Sequence, residues 1–180
     1  MSRHHRKRHD WSLLWAARFV AKWEGFIPTA YLDTIASPPV WTIGYGHTHG
    51  VRPGQHVTEA EARRLLAADL RDAARAVAAK VDVPLSVRQR IACISAVFNI
   101  GPGLLEGTHF IDALNHRRYT EAANRLLEWD HAGSVVVEGL SNRRHAERWL
   151  FLHDGSRAAK VKVHKHHALH TSLHPKGAHA

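Results

Sequence analysis

The sequence predicts an α+β protein, mainly helical, in which a small antiparallel β-sheet forms one wall of a cleft. Three observations carry that expectation. Two capping-box signatures, Thr58 with Glu61 and Ser86 with Gln89, each open a long apolar run of helical character. A stretch from Phe26 to Gly50 changes grammar, mixing β-branched and aromatic residues with glycine and proline. The 180 residues, 44% of them hydrophobic, suffice for one sizeable core and are short for two.

Taken in order, the first helix covers residues 13–23, where Leu13, Ala16, Ala17, Val20 and Trp23 recur near a 3.6-residue period. Gly25 accepts a left-handed backbone without a Cβ clash and stops the helix, so Glu24 stands where a rigid element turns into the next. Val40, Trp41, Thr42, Ile43 and Tyr45 favour extended backbone, and Pro38, Pro39, Gly44 and Gly46 supply turns; together they read as a small, irregular antiparallel sheet. The helix opened by Thr58 runs to about Lys80. Residues 91–98 offer few solvent-facing candidates and read as the buried central helix, ended by Asn99, Gly101, Pro102 and Gly103. Short helical patterns follow over 108–114 and 120–129, and a last helix includes 142–152, where Arg143 and Glu147 have the i,i+4 spacing of a pair. Periodicity fades beyond Asp154. The expected organisation is a basic extension, 1–10, a folded body, 11–154, and a basic histidine-rich tail, 155–180.

The net charge of +9 is concentrated at the ends: +3 in residues 1–10 and +5 in residues 155–180, leaving +1 for the body. Cationic ends attract polyanions, whether anionic wall polymers, a membrane surface or nucleic acid, but no zinc-finger, helical-repeat or aromatic RNA-binding signature points to a specific nucleic acid. The apolar candidate at 11–17 is too short to span a membrane, and no visible signal peptide follows the basic start. Cys93, the single cysteine, lies within an apolar stretch and reads as a reduced buried thiol. His164, His166, His167 and His170 could take up a metal adventitiously, yet no HExxH or paired-cysteine pattern is present, and neither a metal nor another cofactor is expected.

Chemistry concentrates in Glu24, Asp33 and Thr42, within WEGFIPTAYLD and VWTIGYGHT. A positioned carboxylic acid can protonate a glycosidic oxygen as its bond breaks, and Trp23, Phe26 and a cleft edge would favour the protonated form of Glu24 by desolvation. Asp33 can stay ionised across the sugar, activating water or steadying oxocarbenium charge. A strand threonine has few rotamers, so Thr42 could hold a water at fixed geometry, although buried strand threonines are common. Trp41 fits either a sugar subsite or the core. Trp129 and Trp149 read as helix-packing residues; Trp11 and Trp15 anchor the first helix or touch a membrane.

These residues resemble the phage-type lysozyme family, glycoside hydrolase family 24. The likeness rests on eight residues between Glu24 and Asp33, on GYGHT at 44–48, on VPLSVRQRIACISAVFNIG at 83–101, and on GLSNRRHAE at 139–147. The resemblance implies a lysozyme-like fold, Glu24 as general acid, Asp33 as the residue that orients or deprotonates water, and Thr42 as its hydroxyl partner. It implies hydrolysis, with inversion, of the β-1,4 bond from N-acetylmuramic acid to N-acetylglucosamine in peptidoglycan. His47 and Asp69 are implied as a supporting pair. The eight residues between Asp33 and Thr42 exceed the five of many members, a lengthening that a turn through Ser37, Pro38 and Pro39 accommodates cheaply when its ends stay in place. Arg143 and Arg144 could bind peptide-stem carboxylates, support the fold through Glu147, or be solvated. A monomer, made in a host cytoplasm and reaching the wall after membrane permeabilisation, is the accompanying expectation. A transglycosylase and a non-catalytic wall-binding protein of the same fold are the alternatives.

Overall fold

The computed structural model describes residues 11–34 and 38–153, which form six α-helices and two small antiparallel hairpins. Residues 1–10, 35–37 and 154–180 lie outside the described residues, and with them the basic extension, the tip of the loop after Asp33, and the tail carrying His164, His166, His167 and His170.

The helix α1 (Trp11–Glu24) buries Ser12, Ala16 and Val20, one residue per turn, and ends at Gly25, whose φ of +66° makes the left-handed stop. The chain then forms β1 (Ile27–Asp33) and β2 (Val40–Gly44), paired antiparallel with Tyr31 opposite Thr42, Leu32 opposite Trp41 and Asp33 opposite Val40. An irregularity between Ile27 and Tyr31 bends the first strand, and the hairpin packs through β2 against α2.

Both capping boxes form. Thr58 accepts from the Glu61 amide at 3.3 Å while the Glu61 carboxylate accepts from the Thr58 amide at 2.7 Å, opening α2 (Glu59–Lys80). The Ser86 and Gln89 box, at 3.2 and 2.9 Å, opens α3 (Val87–Ile100). Each box satisfies amides that the first helical turn leaves without partners, contributing on the order of 1 kcal/mol. A continuous run from Ile91 to Val97 is buried in α3, which packs against α1, α2 and α6 and is the axis of the core.

A 3-10 turn (Pro102–Leu105) leads to α4 (His109–Asn115), capped by Thr108, and to α5 (Tyr119–Arg125), continued by a 3-10 turn (Leu126–Glu128). The helix expected over 120–129 therefore stops at Arg125. Two short strands that the sequence pattern did not announce, β3 (His131–Ala132) and β4 (Val135–Val136), make a hairpin about Gly133, at φ +61°. The last helix, α6 (Glu138–Leu152), includes the expected 142–152 and begins at Glu138.

The expectation that Trp129 and Trp149 pack helices together is corrected. Trp149 is 55% exposed and stacks on His153 at 4.5 Å, and Trp129 is 37% exposed. Phe110 and Phe151, both buried, fill the helical core in their place. Cys93 is buried as expected, and desolvation, with Glu147 nearby, pushes its thiol up to about 12. We expect native protein to resist alkylation at neutral pH and to react fully once unfolded in denaturant; mass spectrometry after a timed iodoacetamide pulse checks this.

Candidate active site

The cleft is built where the end of α1 meets the hairpin and its following turn. Pairing sets which strand residues share a face, because side chains alternate along a strand and opposed residues project together. Tyr31 opposite Thr42, and Asp33 two residues further along, therefore occupy one face, with Asp33 and Thr42 as diagonal neighbours. Leu32 and Trp41 fall on the other face. That register counts against the sugar-subsite expectation for Trp41.

Tyr31 reports how the two carboxylates are placed. Its phenol is pushed above the ordinary tyrosine value by partial burial, then by the charge of Asp33, then by that of Glu24. Both carboxylates are therefore near enough to Tyr31 for their charge to bear on its phenol, the larger effect coming from Asp33 on the same strand face. The sequence reading passed over Tyr31, although its spacing of two from Asp33 on a strand was the available signal.

Thr42 is only 3% exposed, and its hydroxyl donates to the Val40 carbonyl at 3.3 Å, a long bond that leaves the oxygen lone pairs available. The side chain of Glu24 is held from two sides. Arg143, on α6, donates through Nη1 to Oε1 of Glu24. The other oxygen, Oε2, lies against Gly46: a Cβ built there would sit 3.2 Å from it, and 3.9 Å from the Phe98 ring. Trp23 and Phe26, expected to give Glu24 an apolar setting, have other ring partners in Phe19 and Tyr45. A guanidinium in contact with Glu24 is what sequence reasoning missed, because the two residues are 119 positions apart.

Gly46 also has φ +84°, a left-handed conformation. We expect Gly46→Ala to cost about 1–2 kcal/mol from backbone strain. Its methyl group would also displace the Glu24 carboxylate, lowering turnover by on the order of 10- to 100-fold. Thermal unfolding and initial rates on the same preparation separate the two effects.

Arg143 belongs to a buried cluster. Arg143, Arg144 and Glu147 are all nearly or wholly inaccessible, which excludes the solvated reading of the arginines. Ser95 donates to Glu147 Oε1 at 2.6 Å, Arg143 Nε does so at 3.2 Å, and Arg144 Nη2 at 2.9 Å; Arg144 Nε stands 2.8 Å from Oε2 as an ion pair. The i,i+4 pair expected from the sequence is thus one edge of a network that reaches Glu24.

His47 and Asp69 are brought together. The imidazole Nδ1 is 2.8 Å from Asp69 Oδ2 and 3.0 Å from Oδ1, while the His47 backbone exchanges two 2.9 Å hydrogen bonds with Ile43. Burial raises the Asp69 carboxyl above its ordinary value, and the hydrogen bond and charge of His47 pull it back. The pair ties the turn after β2 to α2. Between them opens a cavity of about 320 Å³ lined by Gly46, Thr48, His49, Asp69 and Phe98 among others, so its walls are the turn after β2, α2 and the end of α3; the sheet, expected as one wall, reaches this cavity only through its following turn.

A sequence model of the phage lysozyme family matches residues 21–147. The chain is 37% identical over 134 residues to an endolysin of Salmonella phage P22, covering 72% of this chain and 89% of that relative. It is 31% identical over 156 residues to an endolysin of Bacillus phage B103, covering 86% of this chain but spanning only 59% of that relative's length. Among solved structures it is similar to the muramidase domain of SpmX from Asticaccaulis excentricus, with a TM-score of 0.69 and 33% identity over 76% of this chain and 94% of that one.

Proposed function

The chain belongs to the phage lysozyme family, and from that premise we propose that it is an endolysin, a glycoside hydrolase that cleaves the β-1,4 bond between N-acetylmuramic acid and N-acetylglucosamine in bacterial peptidoglycan. The observation that supports the reading most is the placement of Glu24 at the end of α1 with Oε2 against the cavity residue Gly46, beside a hairpin whose register puts Asp33 and Thr42 on one face, because glycoside hydrolysis uses a pair of carboxyl groups about one linkage.

In this reading Glu24 gives its proton to the glycosidic oxygen. Its Oε1 is occupied by Arg143, so Oε2, the oxygen beside the cleft residue Gly46, is the one that carries the transferable proton. Asp33, ionised on the adjoining strand, deprotonates or orients water on the opposite side of the sugar, and the Thr42 hydroxyl accepts a hydrogen bond from that water and fixes its approach. Attack from the opposite face gives inversion. His47 and Asp69 keep the turn that cradles Glu24 attached to α2. No step draws on a metal.

The cationic ends, +3 in residues 1–10 and +5 in residues 155–180, would hold the enzyme near anionic wall polymers or a membrane surface. Among the described residues no helix is long and apolar enough to cross a membrane. The enzyme works as a monomer on the wall, reached after membrane permeabilisation.

Digestion of purified peptidoglycan, with products identified by mass and the first-formed anomer followed by NMR, tests the proposal. We expect new reducing ends on muramic acid, initially in the α configuration. Anhydro-muramic ends would make the protein a transglycosylase, and binding without released fragments would make it a wall-binding protein; either outcome ends the hydrolase reading.

A further inference from the structure

On the helical face, away from Gly46 and Phe98, lies a groove of about 750 Å³ between α1, the start of α3 and the end of α6. Its apolar lining includes Trp15, Phe19, Val87 and Trp149. Trp15 is 50% exposed, Trp149 55% and Val87 55%, and the same helix carries Trp11 and Leu14 at 61% and 46%. Large hydrophobes exposed together on one face are unusual in a soluble monomer and mark a surface meant to be covered.

The rim of the groove is cationic. Arg18, Lys22, Arg63 and Arg88 line it, and no carboxylate does. Arg63 is engaged by Glu59 at 2.6 Å, but Arg18, Lys22 and Arg88 have no carboxylate partner among the described residues. Arg18 stacks over the Trp15 ring at 5.0 Å, holding the indole outward, and Arg88 donates to the His153 carbonyl at 2.6 Å beside the Trp149 stack. Indoles at the level of lipid headgroups, flanked by arginine and lysine, are the composition of a membrane-interface anchor: the ring buries in the headgroup boundary while the cations meet lipid phosphates.

We propose that this groove is a docking site for the surface of a bilayer containing anionic phospholipid. Charge decides among occupants. A second copy would bring the same unpaired cations against themselves, and the chain's own ends, at +3 and +5, would be repelled. A hydrophilic polyanion answers the cations but leaves the indoles of Trp15 and Trp149, and Val87, in water. A bilayer surface satisfies both. Trp15 lies nine residues before Glu24 on α1, about 14 Å along the helix, and the groove shares no lining residue with the cavity beside Gly46.

The test uses full-length protein and vesicles of phosphatidylcholine alone or mixed with phosphatidylglycerol. Sedimentation measures partitioning; tryptophan emission and acrylamide quenching report indole insertion. Binding is expected only with phosphatidylglycerol present, accompanied by a blue shift and protection from quencher. Trp15→Ser with Trp149→Ser, and separately Arg18→Glu with Arg88→Glu, should each weaken partitioning by about tenfold with both chain ends intact. Circular dichroism and wall hydrolysis at wild-type levels would show that the variants fold. Wild-type partitioning in both variants would overturn the proposal, leaving the chain ends as the attachment. Binding without a blue shift that duplex DNA competes away would also overturn it, in favour of a polyanion surface.

Discussion

Glu24→Gln is expected to lower turnover of purified peptidoglycan by about 10³-fold while leaving the fold intact. The amide has the size and shape of the acid and keeps an oxygen to accept from Arg143 Nη1, so the contact between α1 and α6 persists. What it lacks is a proton that can pass to the glycosidic oxygen as the bond lengthens. Glu24→Ala should combine the same catalytic loss with a further fall in stability, because it leaves Arg143 facing an empty space at the end of α1. Release of reducing ends, measured beside thermal unfolding, separates the two variants. Turnover in Glu24→Gln within tenfold of wild type would remove Glu24 from the donor role, and the search would move to the other carboxylate at the cleft, Asp33.

Glu147→Ala is expected to cost about 3–5 kcal/mol, enough to lower the unfolding midpoint by on the order of 10 °C. Glu147 is wholly buried and takes hydrogen bonds from Ser95, Arg143 and Arg144. Deleting it strands the Arg144 guanidinium in the core with its desolvation uncompensated, and leaves Arg143 with Glu24 as its remaining carboxylate, loosening its hold there. Glu147→Gln preserves volume and an acceptor and should cost less. Burial raises the Glu147 carboxyl above its ordinary value, opposed by Arg144, then Arg143, then the Ser95 hydroxyl. The sign follows from linkage. A group whose folded value exceeds its unfolded one contributes stability that is full below the unfolded value and is lost as pH rises through the folded value. Wild type should therefore lose stability relative to Glu147→Gln as pH climbs from the ordinary carboxylate range through that raised value. A stability difference between the two that stays flat with pH would show that Glu147 has the same value folded and unfolded.

The readable parts of this molecule are those decided by neighbours in the chain. Thr58 with Glu61, and Ser86 with Gln89, announce α2 and α3 because a cap needs only a side chain and an amide three residues apart. Gly25 after Glu24 marks the end of α1 for the same reason, and so places an acid at a helix end. The weak points are equally physical. The hairpin of His131–Ala132 with Val135–Val136 pairs too few residues to show alternation, and α6 begins at Glu138 with no side-chain cap hydrogen bond on Val137. Trp149 and Phe151 are both apolar and two residues apart on one helix, so periodicity alone could not say which enters the core; the packing of α6 chose Phe151.

By itself, then, the sequence determined the principal helices, the small sheet and the residues able to do acid chemistry, since these follow from backbone preferences and hydrogen bonds spanning a few residues. Only the tertiary structure decided that Arg143 meets Glu24, that Tyr31 stands under the charge of two carboxylates, that Trp41 is turned to the other face, and that Trp15 and Trp149 share an uncovered groove. Those arrangements join segments far apart in the chain. Their energy comes from packing and charge pairing that exist once the helices have closed on α3, and no local pattern encodes it.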